Sequence, residues 1–591
     1  MYKRQHGVPW VQSLSTTLTV QPAAAARLLA LMPGETALPG SSGAGKSGTP
    51  ITIISGSTVT VVVQVVDAFN NPQTVHATEN VRIDTSDAFD VHPTTGVIPS
   101  GQNSEQLIIA LRTAATNHTI LAVDTNLSDP GNTWTSSRSP IAPGAFTVIA
   151  SSASRLLPLL PGEVQVPGSF TGKTGSTVNQ TAGVPFVVTV RQTDEQNNSV
   201  TTGTMPKVRL FSNDVIEEFV SSNPNTLVNG DRTFTMMAKT AQPSFVIRVS
   251  TTLDTGVGTE GVKLGTSSAM RVWPAVAQHL EFFSLPVSSV AAGDPFNASL
   301  AVHDEFHNVV STGPNQYLST VRFEAESTFN GGLTNLNQNP ILPPDYTFTL
   351  ADAGLKAFTG GAEGNFTLFK VGSRWIRASD FGNAAISSER AGFSTRPYIA
   401  IIPGAPFRYI VTTPLDITDG VNDNKVSVSA GNISTPGRVQ IAAQLSDQFD
   451  NSIAQANYPV ELSVFGVSGA TGTTRWFNGV TYNVISSSVT DANGQIGVNP
   501  AFYYFVSTKA VDAAQVRFST GSIIGETLSI ETRGGAPSKL VFINPPATAQ
   551  AGVWSASQFT LERRDDFDNP TGESVSNVLL ALGAGQGTLH T

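Results

Sequence analysis

Residues 61–71 read Val61-Val62-Val63-Gln64-Val65-Val66-Asp67-Ala68-Phe69-Asn70-Asn71. A β-branched run stops at an aspartate, and turn formers follow. Four further stretches do the same, at Asp194-Glu195-Gln196-Asn197-Asn198, Asp304-Glu305-Phe306-His307-Asn308, Asp447-Gln448-Phe449-Asp450-Asn451 and Asp565-Asp566-Phe567-Asp568-Asn569. Four and six residues before each aspartate sit apolar pairs: Val63 and Val61, Val190 and Val188, Leu300 and Ala298, Ala443 and Ile441, Leu561 and Phe559. Between them lie Val62, Thr189, Ser299, Ala442 and Thr560, mostly small or polar. Such a period of two predicts a half-buried strand of an antiparallel sheet. An Asp side chain accepts backbone N–H groups two residues on, and Asn, Asp and His tolerate positive φ. The turn is therefore expected to rest on Asp67 and Asn71, Asp194 and Asn198, Asp304 and Asn308, Asp447 and Asn451, and Asp565 and Asn569.

Working outward, each strand belongs to a larger repeating unit. An entry segment with a basic residue recurs as Ala26-Arg27-Leu28, Ser154-Arg155-Leu156, Gln278-His279-Leu280, Phe407-Arg408-Tyr409 and Ser538-Lys539-Leu540. Its third residue steps by 128, 124, 129 and 131 positions. A proline follows (Pro33, Pro161, Pro286, Pro414, Pro545), then a glycine that opens the strand (Gly56, Gly183, Gly293, Gly437, Gly552). After the turn a second strand recurs as Val81-Arg82-Ile83, Val208-Arg209-Leu210, Val321-Arg322-Phe323 and Val460-Glu461-Leu462. Hairpin turns read Asn229-Gly230-Asp231, Asp352-Ala353-Gly354 and Asp491-Ala492-Asn493-Gly494. Many short strands at steady spacing, with no helical pattern, predict an all-β chain of tandem immunoglobulin-like β-sandwich domains in a linear array. The expected organisation is 1–21, the last strand of a preceding repeat; repeats 1 to 4 at 22–148, 149–273, 274–403 and 404–534; and an incomplete repeat 5 at 535–591. Both ends thus look like cuts through a longer array.

Composition narrows the function. The 591 residues carry 34 Lys+Arg against 44 Asp+Glu, a net charge of −10, and no cysteine. Disulfides, thiolate zinc sites and cysteine nucleophiles are excluded together. The acidic balance, without a basic run, argues against nucleic acid or an anionic membrane as partner. No apolar stretch reaches the roughly 18–20 residues of a membrane-spanning helix.

Several motifs imitate chemistry. Gly40-Ser41-Ser42-Gly43-Ala44-Gly45-Lys46-Ser47 matches the phosphate-loop pattern, but β-like sequence follows it where a helix is required, so a Gly-rich surface loop is expected. From the proline to the strand-opening glycine the count is 23, 22, 7, 23 and 7 residues, so repeats 1, 2 and 4 carry an insert of about 16. In repeat 4 that insert is acidic, and Asp416, Asp419, Asn422 and Asp423 form a weak calcium candidate, though not with EF-hand spacing. His303 and His307 have zinc-protease spacing but straddle a strand end and a turn. Glu217-Glu218 resembles an acid/base pair that no other repeat copies. No catalytic residue and no cofactor is expected.

The entry Gly535-Ala536-Pro537-Ser538-Lys539-Leu540, the strand-ending Asp-x-x-x-Asn and Thr490-Asp491-Ala492-Asn493-Gly494-Gln495 resemble the bacterial Ig-like (invasin/intimin-type) repeats of large surface proteins. Such repeats usually carry Gly before the final Asn, where these five carry Asn, Asn, His, Asp and Asp. The resemblance implies a non-catalytic extracellular or cell-surface role as stalk, adhesin or surface-layer/fibre subunit. Its partners would be neighbouring repeats of the same or identical chains and a cell-surface or glycan ligand. The alternative is a set of spacer or carbohydrate-binding modules of a secreted polysaccharide-degrading enzyme, with Trp134, Trp375 or Trp476 touching sugar.

Overall fold

A computed structural model describes residues 17–92, 95–125, 145–251, 263–326, 338–414, 425–431, 437–466, 473–477, 482–545, 547–548, 550, 552–553, 560–572 and 577–581. At 425–428, 473–477, 482 and 511–513 only the backbone is described. The chain divides into two compact units, Met1–Ala277 with Asp304–Gln316, and Gln278–His303 with Tyr317–Thr591.

In the first unit the strand quoted above, Thr58–Asp67, is the middle of a three-stranded antiparallel sheet between Ala25–Leu31 and Ser104–Ala110. Its alternation is real: Val61, Val63 and Val65 are fully buried, while Val62 and Gln64 are partly exposed. Facing it are Glu79–Thr85 and Ile120–Asp124, which contribute Val81, Ile83, Ile120 and Ala122. Full burial of each such valine or isoleucine contributes about 1.5–3 kcal/mol relative to exposure. Repeat 2 stands in the same unit. There Arg155–Leu159, Phe186–Thr193, Asp231–Met237 and Glu218–Phe219 form one sheet, opposite Asn225–Thr226, Lys207–Ser212, Ile247–Thr251 and Leu264–Thr266. Val188, Val190, Phe234, Val208, Leu210 and Ile247 interdigitate between them. These are two-layer, immunoglobulin-like sandwiches.

The second unit repeats the plan. Its first core draws on Phe296, Phe323, Phe358 and Phe366, with Phe323 edge-on to Phe358 at 4.7 Å between ring centres. Its second buries Ile441, Leu445, Val460, Phe505 and Phe518. In repeat 4, Ala442 is buried as well, so the wet face expected there is covered. At the far end Lys539–Ile543 and Thr560–Arg564 form a two-stranded sheet.

One feature closes each sandwich. A short segment ahead of the central strand pairs in parallel with the last strand of its own repeat: Ile53–Ile54 with Phe146–Ile149, Gln180–Thr181 with Met270–Trp273, Val290–Ala291 with Tyr398–Ile402, and Lys425–Ser429 with Ser529–Arg533. Among the described residues the only helical turns are the three-residue 3-10 segments Leu350–Asp352 and Gly361–Glu363.

Candidate functional site: the joints between repeats

The five aspartates do more than turn the chain. Asp194 Oδ1 accepts the N–H groups of Gln196 at 2.9 Å and Asn198 at 2.8 Å. Its Oδ2 accepts the Asn198 side-chain amide at 2.9 Å and the Ser151 N–H at 3.0 Å, from the segment that enters repeat 2. The Ser55 hydroxyl of repeat 1 adds a donor at 2.5 Å. The same entering N–H reaches the other carboxylates from Ala23, Ala275, Gly404 and Gly535, at 2.8–2.9 Å. Every one of these aspartates is essentially buried. With both oxygens occupied by N–H donors, each carboxylate is compensated without a metal ion.

At Asp67 burial alone would raise the pKa, but the Asn71 amide and the N–H groups of Ala23, Asn71 and Phe69 outweigh it and hold the carboxyl at about 2. Asp565 is lowered in the same way, burial again being outweighed by Asn569, Gly535 and Phe567. The residue before the final Asn has φ between 62° and 65° in all five turns (Asn70, Asn197, His307, Asp450, Asp568), as its residue types require.

The entry basic residue is explained by the same turn. Its strand runs antiparallel to the strand that ends in Asp, which brings Arg27 onto Asn70, Arg408 onto Asp450, and Lys539 onto Asp568 at 2.8 Å. In repeat 2, Arg155 lies 3.9 Å from Glu195 instead. In repeat 3, His279 stacks on His303, with ring centres 5.3 Å apart.

The final Asn faces outward from its own repeat and hooks the one before. Asn198 Oδ1 accepts the Ala114 N–H at 2.8 Å, and its Nδ2 donates to the Arg112 carbonyl at 2.8 Å. Asn308 treats Ala241 and Lys239 the same way, at 2.8 and 2.7 Å. In the second unit Asn451 takes Val371 and Phe369, and Asn569 takes Ala510 and Thr508. An amide that both gives to and takes from one loop's backbone pairs with it much as a β-strand would.

A second carboxylate presents that loop. Asp87 accepts the N–H groups of Arg112 (2.6 Å) and Thr113 (2.7 Å) and the Thr113 hydroxyl (2.6 Å). Asp214 does the same for Lys239 and Thr240. For both, burial pushes the pKa up and is overcome, chiefly by the threonine hydroxyl and N–H, so the carboxyls lie below their ordinary value. The strand-opening glycines complete the contact. Gly56, Gly183 and Gly293 have φ of 75°, 75° and 84°, and a Cβ there would come within 2.8 Å of Gln196, 2.5 Å of the Phe306 ring and 2.3 Å of the Phe449 ring.

In each of the five turns the side-chain amide of the final Asn donates to the carboxylate of its own Asp. Their hook and the presenting Asp87 and Asp214 were missed. A signal existed: the final Asn is invariant across five copies although a turn closes without it, and Thr85-Ser86-Asp87 and Ser212-Asn213-Asp214 occupy matching places.

The imitative motifs find ordinary uses. Lys46 lies in a hairpin, Glu35–Ala37 against Lys46–Gly48, with its ammonium 2.8 Å from Glu35; Lys173 and Glu163 repeat this at 2.9 Å. The Gly-rich segment 40–45 is the loop at the tip of the Lys46 hairpin. His303 ends a strand and His307 sits in the turn. Burial pushes the Glu217 carboxyl up, with the Asp214 charge adding to it, while Glu218 pairs with Lys239 at 2.8 Å. The calcium candidate Asp416, Asp419, Asn422 and Asp423 lies outside the described residues, as does Trp134; the Trp476 side chain is likewise outside them. Trp375 is half-buried, with the Arg396 guanidinium 4.3 Å over its ring.

No family model matches the chain, and the search of curated proteins found no match. Among solved structures it is similar to the adhesin FdeC of Escherichia coli, at 12% identity over 65% of this chain and 100% of that one, with a TM-score of 0.23. It is also similar to invasin, a bacterial integrin-binding protein, at 12% identity over 87% and 82%, TM-score 0.23. A third is the surface layer protein SbsC, domains 4–9, at 12% identity over 66% and 49%, TM-score 0.16. The sandwich fold rests on the sheets described above.

Proposed function

We propose that this chain is a stretch of a non-catalytic, extracellular repeat protein, a stalk, adhesin or surface-layer/fibre subunit, whose work is mechanical. One observation carries the proposal: the same hook is built four times, each time from a buried Asp, its Asn four residues on and a loop of the preceding repeat. A protein whose repeats merely share a chain has no use for a recurring, backbone-directed contact. One that transmits load from repeat to repeat does. Neighbouring repeats are then its first partners. A cell-surface or glycan ligand would meet the inserts 33–55 and 161–182.

Stretching the full chain between two surfaces tests this. Successive ruptures should be spaced by one repeat, about 125 residues at roughly 3.5 Å each, and a single rupture would sink the proposal. The alternative, sugar-binding modules of a secreted enzyme, predicts glycan-array binding that Trp375→Ala abolishes; the guanidinium already lying over that indole argues against it.

A further inference from the structure

Repeat 2 breaks the turn pattern at one position: Gln196 stands where the other four repeats have Phe69, Phe306, Phe449 and Phe567. Each hooked loop contains a basic residue: Arg112, Lys239, Lys370 and Lys509. Where the turn holds Phe306, that residue uses it, the Lys239 ammonium lying 5.9 Å from the ring centre. Arg112 meets no ring at Gln196. Its guanidinium instead lies 4.3 Å over Phe170, and its Nε donates to the Gly168 carbonyl at 2.8 Å.

Gly168 and Phe170 form the tip of the insert of repeat 2, the hairpin Val164–Gln165 against Lys173–Thr174. That hairpin is tied to its own turn. Gly168 N–H donates to the Gln196 carbonyl at 2.9 Å, Asn197 Nδ2 to the Ser169 carbonyl at 2.9 Å, and Gln165 Nε2 to the Asn197 carbonyl at 2.7 Å. Its tip is pressed against repeat 1, since a Cβ on Gly168 would lie 2.1 Å from Thr113 Oγ1.

We propose that this hairpin is a brace that fixes the angle between repeats 1 and 2, with Phe170 supplying the aromatic contact that the turn itself gives up at Gln196. It grips Arg112 by the side chain while Asn198 grips the same loop by the backbone, so the two contacts are separable. The insert of repeat 1 has the same hairpin, tied to Phe69 and Asn70 in the same way, but Ser42 takes the place of Phe170. Of the two inserts whose tips are described, that of repeat 2 alone carries the bracing aromatic.

The chain has no cysteine, so two introduced ones are its only thiols. Spin labels at the exposed strand positions Thr60 and Thr233 report the distance between repeats 1 and 2 in the full chain. Phe170→Ala is expected to broaden the distance distribution by shifting closed against open populations about 2–5-fold, the reach of an exposed cation–π contact. Gln196→Phe in that background should narrow it again, because the ring returns to the turn. Phe170 is 75% exposed, so its truncation should leave the thermal unfolding profile unchanged. An unbroadened distribution overturns the proposal. So does broadening accompanied by a destabilised repeat 2, or broadening that Gln196→Phe does not reverse.

Discussion

The turn at Asp194 and the turn at Asp304, both in the first unit, make the same hook with different surroundings. Each carboxylate takes two turn N–H groups, its own Asn and an entering N–H. Each Asn pairs with backbone two residues apart. Around this constant centre, Gln196 lies against Gly56, whereas Phe306 lies against Gly183 and packs on the core of repeat 2. A contact addressed to backbone tolerates any loop sequence, so it can be copied unchanged. A contact addressed to side chains has to be rebuilt whenever a loop changes, so it varies from joint to joint.

The largest effect should come from breaking what the two turns share. Asp194→Ala or Asp304→Ala strips the acceptor from four or more N–H groups in a buried turn and should destabilise by about 3 kcal/mol or more, read as a lowered urea midpoint. Asn198→Ala and Asn308→Ala keep the turn N–H bonds, take one donor from the carboxylate and unpair one N–H and one carbonyl of the preceding loop. Each should cost about 1–3 kcal/mol, and the two costs should agree because the geometry is the same.

Alanine at the glycines separates the turns. Positive φ costs a non-glycine residue about 1–2 kcal/mol at either site. The Gln196 side chain can swing away from a new methyl at position 56. The Phe306 ring can clear position 183 only by leaving the core, so Gly183→Ala should cost more than Gly56→Ala in the same urea measurement.

Acid should act on both loops alike. The carboxyls of Asp87 and Asp214 lie below their ordinary value in the folded chain. Their contribution is therefore complete above about pH 4, the unfolded value, and is lost as pH falls below it. Melting followed from pH 5 to pH 2 should show this loss, and Asp87→Asn or Asp214→Asn should flatten it. Smallest of all is the effect of a chelator on the distance between repeats 1 and 2. With N–H donors around each carboxylate, EDTA should leave it unchanged; a shift would mean that the hydrogen-bond account of the joint is wrong.

Strand and turn were legible because they are local. Val61, Val63 and Val65 announce a buried face by spacing alone, and Asp67 meets its turn partners within four residues. In the phosphate-loop imitation strand-like residues follow Lys46, and Lys46–Gly48 pairs with Glu35–Ala37. Its true use was not visible, because Glu35 binds Lys46 only after the hairpin forms.

By itself the sequence determined the β modules, their spacing and the aspartate turns, since these depend on side-chain alternation and hydrogen bonds that span a few residues. Only the tertiary structure decided that the final Asn is a hook and that Phe170 replaces a turn aromatic. Asn198 and Arg112 are 86 positions apart and Phe170 and Arg112 are 58, and no periodicity within a repeat encodes which backbone the next repeat will meet.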